Sequence, residues 1–144
     1  MDVKVRRKGV ILILFLSLLL IGTVLAASTP TAPLGAAHVR NMEEAVGFLN
    51  AMGWECIPEQ SEMKASSLPT EFDDTFIAYN SIQLKQGCDL SKYAGKQITV
   101  YNIPIANHDS SDNVWATLIV YRSTVIGGDI HSATMDGFMH PLVG

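Results

Sequence analysis

The stretch IGGDIHSATMDGFMHPL, residues 126–142, gathers two aspartates and two histidines near the end of the chain. On a strand, Asp129 and His131 point to the same face because side chains alternate with period two. Asp136 and His140 follow after a turn, and four such side chains could hold a divalent cation. One hypothesis is therefore a metal-binding protein or a metal-dependent hydrolase that uses these four residues. The alternative is a set of polar residues at the end of a sheet, since Asp-x-His is a weak pattern.

Two amides form a second candidate site on a predicted helix. Asn80 and Gln83 fall in or beside a stripe that contains Phe76 and Tyr79 at helical spacing. A buried amide without a hydrogen-bond partner costs about 1–3 kcal/mol. The two amides therefore either bind neighbouring backbone, such as the loop DLSKYAGK that follows the helix, or line a polar pocket.

Cys56 and Cys88 are the only cysteines. A disulfide between them would close a loop of about 32 residues and add roughly 3–4 kcal/mol in the chain-entropy model. The alternative is two separate thiols. A catalytic cysteine would need an activating context, and the sequence shows none.

Other motifs with a known chemistry are missing from the sequence. Asp109 and Asp112 in the predicted turn NHDSSDN lack the alternate-oxygen spacing and terminal Glu of a calcium loop. There is no glycine-rich phosphate loop, zinc-protease helix, serine-hydrolase elbow or zinc-finger spacing. The sequence therefore favours a protein that is not an enzyme, and it predicts no cofactor.

Two helices and several strands must position these candidates. Capping boxes at Asn41–Glu44 and Thr70–Asp73 predict two helix starts, and Gly53 and Gly87 predict the two helix stops. The strand predictions are Trp54–Cys56, Gln97–Ala106 with Pro104 at an edge or an end, Val114–Tyr121, and Thr124–His131 with a bulge at Gly127–Gly128. Residues 59–68 are polar and ambiguous. We predict an α+β fold, with two helices packed on an antiparallel sheet of about three to five strands.

The N-terminus predicts export. Four basic residues precede an uncharged apolar run from Gly9 to Ala27, which is typical of a signal peptide cut after Ala26 or of a retained membrane anchor. Residues 28–37 are predicted to be a linker and residues 38–144 a single domain. The folded part is thus expected outside the cytoplasm, either anchored in the membrane or secreted.

The remaining chain is acidic. From Ala27 onward there are six basic and thirteen acidic residues, a net charge near −7. An acidic surface repels phosphate backbones and anionic lipid headgroups, so we expect no nucleic-acid partner and membrane contact only through the N-terminal segment. The expected partner is an unknown protein or small ligand outside the membrane.

Three strings together resemble a known family: FLNAMGWE, YNSIQLKQGCDLSKYAGK and IGGDIHSATMDGFMHPL. They are similar to a small exported domain of Gram-positive, clostridia-like bacteria, the domain of unknown function DUF4830, over residues 40–142. The patterns YN-x-x-Q-x-x-QG and GGD-x-x-S-x-x-x-x-GFMH carry the resemblance. The family has no assigned reaction that the resemblance could imply for this chain. Its pattern commonly has Cys where this chain has His131, and an aromatic or apolar residue at Cys88. The positions that match the motif are Asn80, Gln83, Gly127, Gly128, Asp129 and His140.

The sequence therefore leaves two hypotheses from different classes. The first is an exported, non-enzymatic binding module whose candidate binding residues are Asn80, Gln83, Asp129 and His140. The second is the metal site formed by the C-terminal Asp/His cluster.

Overall fold

The computed structural model describes residues 33–110 and 112–143. It contains helices α1 (Met42–Ala51) and α2 (Asp74–Lys85) and one antiparallel sheet of five strands. The strands follow chain order across the sheet: β1 Glu62–Ser67, β2 Gln97–Ile105, β3 Val114–Tyr121, β4 Thr124–Ser132 and β5 Met139–His140. The predicted α+β fold is confirmed.

The predicted signal peptide or anchor, residues 1–27, lies outside the described residues, as do residues 28–32 of the predicted linker. Among the residues that the structure does describe, no helix is long and apolar enough to cross a bilayer.

Strand β3 is apolar on both faces because each face of the sheet has its own core. On the α1 face, Leu118 of β3 packs in a core that includes Leu49 of α1. On the opposite α2 face, Ile119 packs in a smaller core against Phe76 and Tyr79 of α2. Side chains of a strand alternate between faces, so a strand between two helical layers reads as a continuous apolar run.

The two helix starts differ in how well the sequence predicts them. Asn41 caps α1, since its Oδ1 accepts a hydrogen bond from the Glu44 backbone N at 2.9 Å, as predicted. At α2 the prediction is wrong by three residues. The cap is Asp73 and not Thr70, because the Asp73 carboxylate itself accepts from the Phe76 backbone N at 2.9 Å.

Two strand predictions are also corrected. The predicted strand Trp54–Cys56 amounts to one isolated bridge between Cys56 and Ile105. Strand β1 falls instead in the polar stretch that the sequence left ambiguous. It is mostly exposed on both faces, so it carries no alternating apolar pattern. Pro104 lies at the end of β2 as predicted, beyond the last residue of β2 that pairs with β1.

The predicted linker, residues 28–37, is too long, because its last residues belong to the folded part. Leu34–Ala36 form a short 3-10 helix, and Leu34 and Ala37 are buried in the core on the α1 face. The Ala37 carbonyl accepts a hydrogen bond from the Val125 backbone N at 2.9 Å. These residues belong to the folded part because the apolar Leu34 side chain and the Ala37 backbone both have partners there.

Strand β4 contains the predicted bulge. Its register against β3 shifts between Ile119 and Val120, immediately before Gly127 and Gly128. A Cβ atom added to Gly128 would lie 2.6 Å from Leu142 Cδ1 and would also collide with the Thr117 carbonyl oxygen. Glycine is therefore required here by close packing and not by an unusual backbone angle.

Gly128→Ala tests this close approach. We expect it to lower the free energy of unfolding by about 3 kcal/mol, because the collision involves backbone that cannot yield. Gly47→Ala is the matched control, since a Cβ there meets nothing within 4 Å in the middle of α1. It should raise the free energy of unfolding by roughly 0.5–1 kcal/mol. Urea denaturation measures both, and equal small effects would contradict the packing argument.

Candidate functional site

Two glutamines of α2 bind the backbone of β4. Gln83 Oε1 accepts a hydrogen bond from the Gly128 backbone N at 2.8 Å, and the Gln86 amide Nε2 donates to the Gly128 carbonyl at 2.7 Å. The same Gln86 Nε2 also lies 2.8 Å from Gln83 Oε1. Strand β5 pairs only with Ile130 and His131, so it does not reach this part of β4. The two side chains therefore bind Gly128 where an additional strand would otherwise pair. We call this arrangement the glutamine latch.

The latch also holds the end of the chain. Gln86 Oε1 accepts a hydrogen bond from the Leu142 backbone N at 2.9 Å, and the Trp54 indole donates to the Leu142 carbonyl at 3.1 Å. Gln83 is fully buried, and its Nε2 has no partner among the described residues. The Gln83 side chain is thus bound through its oxygen alone. Gln86 was not among the positions predicted to be functional, although it stands in the motif YN-x-x-Q-x-x-QG.

Asn80 organises the loop after α2. Its Oδ1 accepts from the Leu90 backbone N at 2.8 Å, and its Nδ2 donates to Asp89 Oδ1 at 3.0 Å. Hydrogen bonds from Ser91 and Asn80 hold the pKa of Asp89 below its usual range. Of the two alternatives for the amides, Asn80 and Gln83 both bind neighbouring backbone, and Asn80 does so in the loop that the sequence suggested.

A polar row connects α2 to β4 on the α2 face. The Tyr79 hydroxyl donates to Asp129 Oδ2 at 2.6 Å, and His131 Nδ1 lies 2.7 Å from Asp129 Oδ1. Asp129 is 2% exposed, and burial together with the Asp129 charge raises the pKa of Tyr79 far above its usual value. Tyr79 therefore stays a proton donor. We call these three residues the Tyr-Asp-His row.

The row could serve as a proton acceptor. Because a carboxylate only accepts hydrogen bonds, the neutral His131 ring carries its proton on Nδ1 and keeps a lone pair on Nε2. The His131 side chain is 27% exposed, and Nε2 has no hydrogen-bond partner among the described residues. An aspartate that orients a histidine in this way is one part of a general-base arrangement. Such an arrangement also needs a nucleophile hydrogen-bonded to Nε2, and none of the described residues forms that hydrogen bond.

A groove on the α2 face lies next to this row. It encloses about 330 Å³ between the first half of α2 and strands β1 to β3. Its lining is mainly apolar and includes Leu68, Phe76, Tyr79, Ile98, Val100 and Ile119. Thr117 lines the same groove, and its hydroxyl donates to Asn102 Oδ1 at 2.8 Å. Tyr79 belongs to both the groove and the Tyr-Asp-His row.

The four residues of the hypothetical metal site do not come together. Asp129 and His131 share the α2 face, as predicted. His140 pairs with Ile130, so it lies on the opposite face, and Asp136 stands in an exposed loop. Across residues 33–110 and 112–143, no group of three or more His, Cys, Asp or Glu side chains is arranged to hold a metal ion. The four-residue site is therefore corrected to an Asp-His pair and two separate residues.

His140 has a different partner from the one expected. Its Nε2 lies 3.0 Å from Nε2 of His108, and both rings stack on Phe138, while Trp54 stacks on His108 and lies tilted against His140. The sequence predicts only an ordinary turn at residues 107–113. No spacing in the sequence connects positions 108 and 140, because the contact depends on how β5 returns along β4.

Both cysteines are free thiols in the structure. Cys88 is buried and Cys56 is half-buried, and burial raises the pKa of each thiol above its usual value. A raised pKa lowers the fraction of reactive thiolate. Of the two alternatives, the structure contains separate thiols and not a disulfide.

Tyr79→Phe tests the Tyr-Asp-His row. Removing the hydroxyl deprives a buried carboxylate of a hydrogen bond, which should lower the free energy of unfolding by about 1.5–3 kcal/mol. Tyr93→Phe is the control, since the Tyr93 ring packs at a tilt against Tyr121 and its hydroxyl has no hydrogen-bond partner among the residues that the structure describes. That change should stay within about 0.5 kcal/mol. If both variants unfold at the wild-type urea concentration, the hydroxyl does not support Asp129.

Comparison with known proteins places these features in a family. The family model of a domain of unknown function (DUF4830) matches residues 48–130. The matched span includes the glutamine latch and Asp129, and it ends before His131, Asp136 and His140, whereas the motif resemblance extended to residue 142. Searches of curated proteins and of solved structures returned no match. Because the family model covers more than half of the sequence, the chain belongs to the DUF4830 family.

Proposed function

We propose that this chain is an exported binding module that is not an enzyme and that takes a compact apolar ligand in the groove on the α2 face. The observation that carries the proposal is the groove itself. Ligand sites are typically concave, mostly apolar and about 300–1,000 Å³ in volume, with a few polar groups. A groove of about 330 Å³ falls at the small end of that range.

The chemistry of the lining defines the ligand. Val100 and Ile119 present aliphatic side chains from the sheet, and Phe76 adds an aromatic wall from α2. Charged side chains do not contribute to this lining. A ligand with an aliphatic or aromatic body therefore gains burial of apolar surface, about 25 cal/mol per Å². The serine and threonine residues of the lining, which a hydrogen-bonding group on the ligand would meet, are Ser66, Ser67, Thr75 and Thr117.

The groove is built mainly from helix and strand residues, with Leu68 contributed by the connection that follows β1. Its floor is the sheet, and its wall is a helix that the glutamine latch and the Tyr-Asp-His row attach to β4. Preformed sites lose less free energy on binding, because their side chains are already ordered. These contacts support a binding role for the α2 face. Of the four binding residues proposed from the sequence, Asn80, Gln83 and Asp129 would then shape the site without touching the ligand, whereas His140 lies on the opposite face.

The proposed location is outside the cytoplasm, with the domain either secreted or held at the membrane by its N-terminal segment. The support is the basic cluster followed by an uncharged apolar run, together with the acidic composition of the rest of the chain. Protease treatment of intact cells that express the full chain tests the location. The folded part should be digested while a cytoplasmic marker survives, and complete protection in intact cells would contradict export.

Binding of a neutral apolar dye, N-phenyl-1-naphthylamine, tests the groove. Thr75 lies at its rim and is exposed, so Thr75→Trp should fill the groove without disturbing the core. The control is Ala78→Trp, which adds the same ring to an exposed position of α2 outside the lining. With the unit Thr31–Gly144, we expect Thr75→Trp to weaken dye binding by about tenfold or more, a loss of about 1.4 kcal/mol. Equal dye binding by both variants, or none by the unchanged unit, would refute the proposal.

A further inference from the structure

The pair formed by His108 and His140 has a defined proton arrangement. The Ser110 backbone N–H donates to His108 Nδ1 at 3.0 Å, so the neutral His108 ring carries its proton on Nε2. His140 Nδ1 lies 2.8 Å from the Pro141 carbonyl, which only accepts, so the neutral His140 ring carries its proton on Nδ1. His108 Nε2–H therefore donates to the lone pair of His140 Nε2 across 3.0 Å. Each ring contributes one proton, and every nitrogen of the pair has a partner.

This arrangement argues against a metal ion between the two rings. Two imidazoles that bind a metal through Nε2 must both carry their protons on Nδ1. That would suit His140, whose Nδ1 faces a carbonyl, but His108 Nδ1 faces the N–H of Ser110. The hydrogen-bonded pair of neutral rings is the state that the surrounding backbone selects.

We propose that the His108–His140 pair is a pH-sensitive clasp that holds the C-terminal segment, residues 138–143, on the α1 face only while both rings are neutral. A proton added to His140 Nε2 would face the existing Nε2–H of His108. A proton added to His108 Nδ1 would face the Ser110 N–H. Ser110, the two rings and Pro141 are linked by three hydrogen bonds, and either added proton removes one of them. It also puts a positive charge beside the second ring.

No neighbouring carboxylate compensates for that charge. The elements packed around the pair carry the charged residues Glu55, Asp109, Asp112 and Asp136. None of them forms an ion pair with either imidazole among the residues that the structure describes. His131, by contrast, lies on the opposite face and has Asp129 as its partner. The structure therefore places no carboxylate within ion-pair distance of either ring to receive the charge of an added proton.

The clasp matters because the segment it holds covers the edge of β4. His140 and Met139 pair with Ile130 and His131, and buried Leu142 binds Gln86 and Trp54. Because a proton added to either ring removes one of the hydrogen bonds that hold this segment, we expect the segment to be held less firmly as the pH falls. Release would expose the Trp54 ring and the part of the β4 edge that β5 occupies.

The full chain in nonionic detergent, with Trp115→Phe so that Trp54 is the single reporter, allows a direct test. Lowering the pH from about 7.5 to 5, across the range in which histidine titrates, should shift Trp54 emission to longer wavelength. The same change should lower the exchange protection of the Leu142 amide by about tenfold. His140→Gln should abolish both pH-dependent changes, and His38→Gln, at an exposed histidine, should leave them intact. Persistence of both changes in folded His140→Gln would overturn the proposal.

Nitrogen-15 NMR of the histidine rings gives a test that does not depend on a variant folding. At about pH 7.5 we expect His108 to have its proton on Nε2 and His140 on Nδ1. Two rings with the same tautomer would overturn the proposal. So would protonation of either ring at lower pH while Trp54 emission and Leu142 protection stay constant.

Discussion

The rest of the structure depends on the hydrogen bonds that two glutamine side chains make to Gly128. The backbone of Gly128 points away from β3 at a place where β5 is too short to pair with it. A peptide N–H and carbonyl buried there without partners would each cost about 1–3 kcal/mol. Gln83 accepts from the N–H and Gln86 donates to the carbonyl, so the amides satisfy both groups. These two hydrogen bonds thereby fix where α2 lies along β4 and how α2 is rotated about its own axis.

The consequences of that attachment reach both faces of the sheet. On the α2 face it sets Tyr79 against Asp129 and leaves the groove between the helix and strands β1 to β3. On the other face, Gln86 Oε1 accepts a hydrogen bond from the Leu142 backbone N, so the Leu142 side chain packs where a Cβ of residue 128 would stand. The groove and the histidine clasp are separate sites, but both are positioned by the same two amides.

Much of the fold could be predicted from the sequence because local chemistry fixes it. The cap at Asn41, the stops at Gly53 and Gly87, and strand β3 all follow from neighbouring residues. Strand β1 could not be predicted, since it is exposed on both faces and has no pattern. The predicted start of α2 was wrong because both Thr70 and Asp73 can act as an N-cap acceptor. Only the three-dimensional path of the chain decides between them.

The candidate site, too, could be predicted only in part from the sequence. Alternation along one strand correctly placed Asp129 and His131 on one face. It gave no information about His140, whose face depends on the register of β5 against β4, nor about His108 on a distant turn. The role of Gln86 also could not be read locally, because its partners at Gly128 and Leu142 lie 42 and 56 positions further along the chain.

Native-state hydrogen exchange of the Gly128 amide tests the central claim most directly. If Gln83 closes this edge of β4, the amide should exchange only through large-scale opening, with protection close to that of the amides in the middle of β3. Exchange of Gly128 at the rate of an exposed edge amide, while β3 stays protected, would contradict the glutamine latch and the positioning of the groove that depends on it.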